Sequence, residues 1–266
     1  IPGDASTEVP GLSSAMADWL YAPVPNIASG EGAGERPHFA SWAEALAHPG
    51  PAAPSRARAE DLALLPYTSG TTGAPKGCMH SHRSLMHNAV AGASWGHAGP
   101  ETVALGVVPM FHITGLVYSL LGSVWCGSTV VLMPRWDREL AGESISRHRV
   151  SHWTCIPTMV IDLFASPNLD RFDLSSLRFL SGGGAAMPQA VAERLRERFG
   201  LTFAEGYGLT ETAAPSHANP PERAKLQCLG IPIFGVDARV VDPVTLEEVP
   251  TGEVGEIVIH GPMVFQ

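Results

Sequence analysis

The sequence predicts an α/β fold, mostly parallel sheets flanked by helices, with the start of a small β subdomain at its C-terminal end. Three observations carry that prediction. Runs apolar on both faces, such as Thr102 to Val108 and Thr129 to Met133, alternate with segments of helical periodicity, as in parallel sheets covered by helices. Turns of tiny residues follow such runs, at the strand ends where open α/β sheets bind ligands. From Gly230 the texture changes to short alternating runs broken by Pro and Gly, the pattern of a small antiparallel unit.

Composition narrows the class. The chain has 266 residues, 45% hydrophobic and 16% charged, enough apolar material for a large core and too much for disorder throughout. A net charge of −9 argues against a general nucleic-acid binder. Cys78, Cys126, Cys155 and Cys228 lie far apart without a C-x-x-C pair, which suggests reduced thiols and a cytoplasmic protein. The opening Ile1-Pro2-Gly3-Asp4 has no initiator Met and no basic-then-apolar leader, so the chain reads as a piece of a longer protein. Phe111 to Met133 contains no Asp, Glu, Lys or Arg and is long enough to cross a bilayer, but it divides at Gly127 into a buried helix and a buried strand. No integral membrane segment is expected.

Taken in order, residues 1–60 are irregular, with short amphipathic helices at Ser13 to Leu20 and Ser41 to Ala47, and read as the remnant of a preceding subdomain. Residues 61–229 form the α/β core. Asp61 to Leu65 is its first strand, Ser84 to Trp95 a helix with Leu85, Ala89 and Ala93 on one face, and Thr102 to Val108 a strand. A helix up to about Trp125, a strand to Met133, a helix at Glu139 to Arg149, a strand at Ser151 to Ile156 and a helix at Thr158 to Phe164 continue the rhythm. Leu177 to Leu180 is a short strand, Ser181 to Ala186 a turn of tiny residues, and Pro188 opens a helix buried through Val191, Leu195 and Phe199 and closed by Gly200. Leu201 to Ala204 is the next strand, delivering Glu205 to Thr212 at its tip. Residues 230–266 begin the small β-rich subdomain, with strands at Val236 to Val241 and Gly255 to His260.

The densest chemical signal is Tyr67-Thr68-Ser69-Gly70-Thr71-Thr72-Gly73-Ala74-Pro75-Lys76-Gly77. Hydroxyls donate to phosphate oxygens, glycines let backbone N–H groups turn inward, and Lys76 adds a mobile charge. The spacing is not that of the common nucleotide-hydrolase loop, which ends in Gly-Lys-Ser/Thr. An ordinary surface turn has a similar composition. At the later strand tip, Tyr207 offers a planar surface for a base, Thr210 an oxygen for phosphate and Glu211 a carboxylate for Mg²⁺. His80, His82 and His87 near Cys78 match no standard metal spacing and read as solvated or backbone-bonded.

The loop from Tyr67 to Gly77 resembles the signature loop of the adenylate-forming superfamily. Val108 to Gly115, Ser181 to Pro188, Gly206 to Glu211 and the stretch from Val240 through Ile257 resemble the family's further blocks, in the family's order. The chain is identified as a member, part of the large N-terminal domain, and Val108-Pro109-Met110-Phe111-His112 is similar to acyl- and aryl-CoA synthetases. The resemblance implies that Thr68, Ser69, Gly70, Thr71, Thr72, Gly73 and Lys76 hold the phosphates of ATP, and that Gly184, Ala185 and Ala186 line the adenine pocket beside Tyr207 and Gly208. It implies that Thr210 contacts phosphate, that Glu211 binds Mg²⁺, and that Thr71, Lys76, Thr210 and Glu211 serve catalysis. His112 borders the carboxylate-substrate pocket, with Trp153, Cys155, Ile156 and Met159 as apolar neighbours that could equally be core. The implied reaction is ATP-dependent activation of a fatty or aromatic carboxylic acid to an acyl adenylate, then transfer to coenzyme A. A carrier-protein thiol, or nucleotide binding without catalysis, are the alternatives. The family's ribose-binding aspartate and its C-terminal domain with the catalytic lysine are expected beyond Gln266, so the chain alone is expected to be inactive.

Overall fold

The structure, a computed structural model, describes residues 47, 54–68 and 74–266. The chain divides into residues 1–56 and 57–266, and the elements below belong to the second unit. The helices expected from Ser13 and from Ser41, and loop residues Ser69, Gly70, Thr71, Thr72 and Gly73, lie outside the described residues.

Strand β1 (Leu62–Leu64) pairs antiparallel with β4 (His80–Ser81), and between them β2 (Tyr67–Thr68) pairs with β3 (Lys76–Gly77). The expected first strand thus lies outside the main sheet. Helix α1 (His82–Trp95) follows at once, its N-terminus capped by the Ser81 hydroxyl, which accepts from the Ser84 N–H at 3.2 Å.

The main sheet has seven strands. In chain order they are β5 (Val103–Gly106), β6 (Thr129–Leu132), β7 (His152–Cys155), β8 (Phe179–Gly182), β9 (Phe203–Leu209), β10 (Ala214–Ala218) and β11 (Ile231–Pro232), and in space they run β11-β10-β9-β8-β7-β5-β6. From β6 to β9 the pairing is parallel, and β9-β10-β11 is antiparallel. The connection from β5 to β6 is a π-helical run, Gly115–Gly122, continued by α2 (Ser123–Cys126). Helices α3 (Arg138–His148), α4 (Pro157–Phe164) and α5 (Gln189–Phe199) join the other parallel strands, and Gly200 closes α5 in the left-handed conformation at φ +65°.

The larger core packs Ile145, Leu163 and Leu195 of these helices against Leu105, Trp153, Leu180 and Phe203 of the sheet. A second cluster joins α1 through Leu85 and Ala89 to Ile113, Val117, Ala213 and Met263. Outside the seven-stranded sheet, β12 (Asp237–Val241) pairs antiparallel with β13 (Glu256–His260).

Two boundaries differ from the sequence reading. Ser181 and Gly182 belong to β8 rather than to the tiny-residue turn, because their backbones pair in register with Thr154 and Cys155. Strand β9 continues to Leu209, since β10 supplies antiparallel partners for Gly206 to Leu209. Tyr207 and Gly208 therefore lie within a strand, and only Thr210 and Glu211 occupy its tip.

Candidate active site

The parallel strands end along one rim of a cavity of about 950 Å³, near the upper limit of the usual range for ligand sites and roomy enough for a nucleotide with an acyl group. Its polar end gathers residues from three chain segments. Thr68 and Lys76 face each other across the β2–β3 pair, and the Thr68 hydroxyl donates to the Lys76 carbonyl at 3.5 Å. Lys76 is exposed, so its ammonium can move without a desolvation cost. From β9 and its tip come Tyr207, Gly208, Thr210 and Glu211, and from the turn after β8 comes Gly184.

That turn needs its glycines. A Cβ on Gly183 would lie 2.3 Å from the Gly206 carbonyl oxygen, while Gly184 sits at φ +79° with only Ile156 near its Cβ position, at 4.0 Å. The floor between β8 and β9 is thus bare backbone, open to a planar ligand. Ala185 and Ala186 are exposed and do not line the cavity, so only Gly184 of the three residues expected around adenine meets it.

The other end is apolar, formed by Gly92 and Trp95 of α1, Tyr118, Phe179 and Ile233. A Cβ on Gly92 would fall 2.0 Å from the Tyr118 ring, so the ring packs where any larger residue would stand. Burial pushes the Tyr118 phenol well up, and it stays neutral. His112 lines the cavity between the two ends. Its Nδ1 accepts from the Thr114 N–H at 3.2 Å, so in the neutral ring the proton sits on Nε2, a donor suited to a carboxylate.

Of the neighbours expected beside His112, Cys155, Ile156 and Met159 line the cavity and Trp153 does not. Trp153 is in the larger core, stacked on Trp136 with centroids 5.6 Å apart and planes 10° apart. Strand alternation explains this, because Thr154 rather than Trp153 faces the ligand side. Glu205 also turns away, and its carboxylate accepts the Gln227 N–H at 2.9 Å.

The profile of the AMP-binding enzyme family matches residues 15–266. The chain belongs to that family. It is 36% identical to a long-chain-fatty-acid–CoA ligase of Bacillus subtilis over 210 residues, 77% of this chain and 37% of the relative. A feruloyl-CoA synthase of Amycolatopsis is 39% identical over 212 residues, 78% of this chain and 42% of the relative. Among solved structures, the o-succinylbenzoate CoA synthetase of Bacillus subtilis in complex with its acyl-adenylate intermediate superimposes with a TM-score of 0.72 at 32% identity, covering 79% of this chain and 42% of that one. The chain spans well under half the length of these relatives.

Two residues of this AMP-binding chain that the sequence did not nominate reach the β9–β10 corner from the α1 side. The His80 ring is fully buried, with Nε2 at 2.7 Å from the Thr210 carbonyl and Nδ1 at 3.1 Å from the Ser84 hydroxyl. Burial pushes its pKa down, leaving a neutral ring that donates through Nε2 to the Thr210 carbonyl. The fully buried Asn88 directs its amide nitrogen at the carbonyls of Thr212, Ala213 and Pro215, at 2.9, 2.8 and 3.1 Å. Neither residue has a sequence motif. The only signal for Asn88 was a carboxamide beside the apolar stripe of a helix.

Proposed function

We propose that this chain is the nucleotide- and acid-binding part of a longer protein that joins a carboxylic acid to ATP, forms an acyl adenylate, and transfers the acyl group to coenzyme A. The observation that carries the reading is the single cavity with a cationic and hydroxyl-bearing end at Thr68, Lys76 and Thr210, a carboxylate at Glu211, and an apolar chamber beyond His112. Kinship with CoA ligases, and with a relative solved holding an acyl adenylate, supports the same reading. In domain terms, residues 61–229 together with β11 form the binding core, and β12 and β13 belong to a β-rich unit that follows it.

In this reading the acid's chain lies in the apolar chamber and the His112 Nε2–H orients its carboxylate toward the α-phosphorus of ATP. One carboxylate oxygen attacks, the bond to pyrophosphate breaks, and negative charge moves onto the leaving phosphates. Lys76, the Thr210 hydroxyl and the Ser69 to Gly73 loop stabilise that charge, with Thr71 among the donors. The bare floor at Gly183 and Gly184, with Tyr207 beside it, takes the adenine. Glu211 and the neighbouring Thr210 hydroxyl are hard oxygen donors of the kind Mg²⁺ prefers, and the ion, when bound, would neutralise phosphate charge. Positioning and electrostatics do most of the work, because the protein forms no covalent bond. The chain alone is expected to bind nucleotide and to turn over no acid.

The test is a panel of fatty and aromatic acids assayed with the full-length protein and Mg·ATP, with and without coenzyme A. Thioester formed only in the presence of coenzyme A supports the reading. Adenylate formation without thioester would move the acceptor to a carrier-protein thiol, and nucleotide binding without acid-dependent pyrophosphate release would reduce the site to a binding module.

A further inference from the structure

From Thr210 to Pro215 the chain makes a tight corner, with Ala213 and Ala214 at φ +51° and +85°, values that L residues avoid. Such a corner persists only if its surroundings dictate it. Every carbonyl along it has a donor. Thr210 takes His80 Nε2 at 2.7 Å, Glu211 takes the Phe265 N–H at 2.9 Å, and Ala214 takes the Thr212 hydroxyl at 2.7 Å. Thr212, Ala213 and Pro215 share the two N–H groups of the Asn88 amide. Four of these six carbonyls are therefore held by two side chains, His80 in β4 just before α1 and Asn88 midway along α1.

The Asn88 amide sits there at a cost, because its own oxygen is buried without a hydrogen-bond partner. A group of this kind is retained where its other half does something the fold needs. What it and His80 hold is the short turn that presents Thr210 and Glu211 to the cavity. Lys76 lies in β3, four residues before His80 on the same stretch of chain.

We propose that His80 and Asn88 are positioning residues that lock the Thr210–Glu211 corner against the Lys76 strand, fixing the separation between the groups on opposite sides of the phosphates. This rests on the adenylation reading for what the corner binds, but not for the clamp itself. Neither residue lines the cavity, so each acts through Thr210 and Glu211.

The test uses His80→Leu, His80→Gln and Asn88→Leu in the full-length protein, with hydrogen exchange of the amides of residues 209–214 and steady-state kinetics of acid-dependent pyrophosphate exchange. The clamp predicts that His80→Leu speeds exchange at the corner about tenfold or more while β5 to β8 keep parental protection. It predicts a rise of about tenfold in KM for Mg·ATP with the KM for the acid within about twofold, since small misplacements of a phosphate-binding group cost 10- to 100-fold. His80→Gln keeps a donor for the Thr210 carbonyl and should restore most of both. Asn88→Leu should follow His80→Leu, and if it does not fold, the His80 pair still decides. Parental corner exchange and parental KM for Mg·ATP in a folded His80→Leu protein would overturn the proposal, as would a uniform loss across acid and nucleotide that follows the melting temperature alone. If the parent protein shows no acid-dependent exchange, the adenylation reading fails, and corner protection alone then decides the clamp.

Discussion

His112 and Glu211 line one cavity, and the proposed reading gives them opposite tasks, one as a donor to the acid and one as an oxygen ligand near the phosphates. In the proposed reading the His112 Nε2–H donates to the acid's carboxylate, a bond to a charged group worth about 1.5–3 kcal/mol, so His112→Ala should raise the KM for the acid on the order of tenfold or more. The KM for Mg·ATP should change little, because Tyr207, Gly184, Lys76 and Thr210 are untouched. Steady-state titration of each substrate at saturating levels of the other reads both numbers. An equal rise in both would place His112 outside the acid's path.

At the level of elements, strand β7 separates two jobs by alternation. Trp153 points into the core and stacks on Trp136, whose indole N–H donates to Asp162 at 2.8 Å, while Thr154 faces the cavity; Cys155, on the core side with Trp153, borders the cavity only at the strand's end. Trp153→Ala should therefore destabilise the protein by about 3–5 kcal/mol in urea unfolding, while the folded variant keeps the parental KM for the acid. A changed KM with parental stability would return Trp153 to the pocket wall. The elements legible from sequence were those whose pattern is local. Apolar strands, Pro157 opening α4 and Gly200 closing α5 needed no knowledge of what lay opposite. The reach of β9 to Leu209 was not legible, because its last residues are strand only through pairing with β10, a polar Ala-Pro-Ser-His-Ala run without strand character. Cavity residues announced by motif, Lys76, Gly184, Tyr207, Thr210 and Glu211, do converge. Asn88 stayed silent, and His80 was legible only as a histidine solvated or bonded to backbone, because the carbonyls they reach lie 124 and 130 residues away along the chain.

Among the described residues, His80 and His217 are buried and His152 is half-buried. His80, His152 and His217 all have their pKa pushed below the ordinary 6.5, chiefly by burial. In each case the unfolded chain binds the proton more readily than the folded one, so stability is full above pH 6.5 and declines as pH falls through and below it. The melting temperature should hold steady from pH 8 to 7 and drop between about pH 6.5 and 5, before the carboxylates begin to titrate. Replacing His217 by Gln should flatten that decline, and a steeper decline would contradict the sign assigned to burial. The same sheet that buries these rings delivers Glu211 to the cavity, and the central claim is that this cavity adenylates a carboxylic acid. The measurement that tests it most directly is acid-dependent exchange of labelled pyrophosphate into ATP by the full-length protein and its Glu211→Gln variant, at saturating Mg²⁺. The account predicts exchange by the parent that requires the acid, and a rate about 10²- to 10³-fold lower in the variant. Exchange without acid, or a Glu211→Gln variant as fast as the parent, would contradict it.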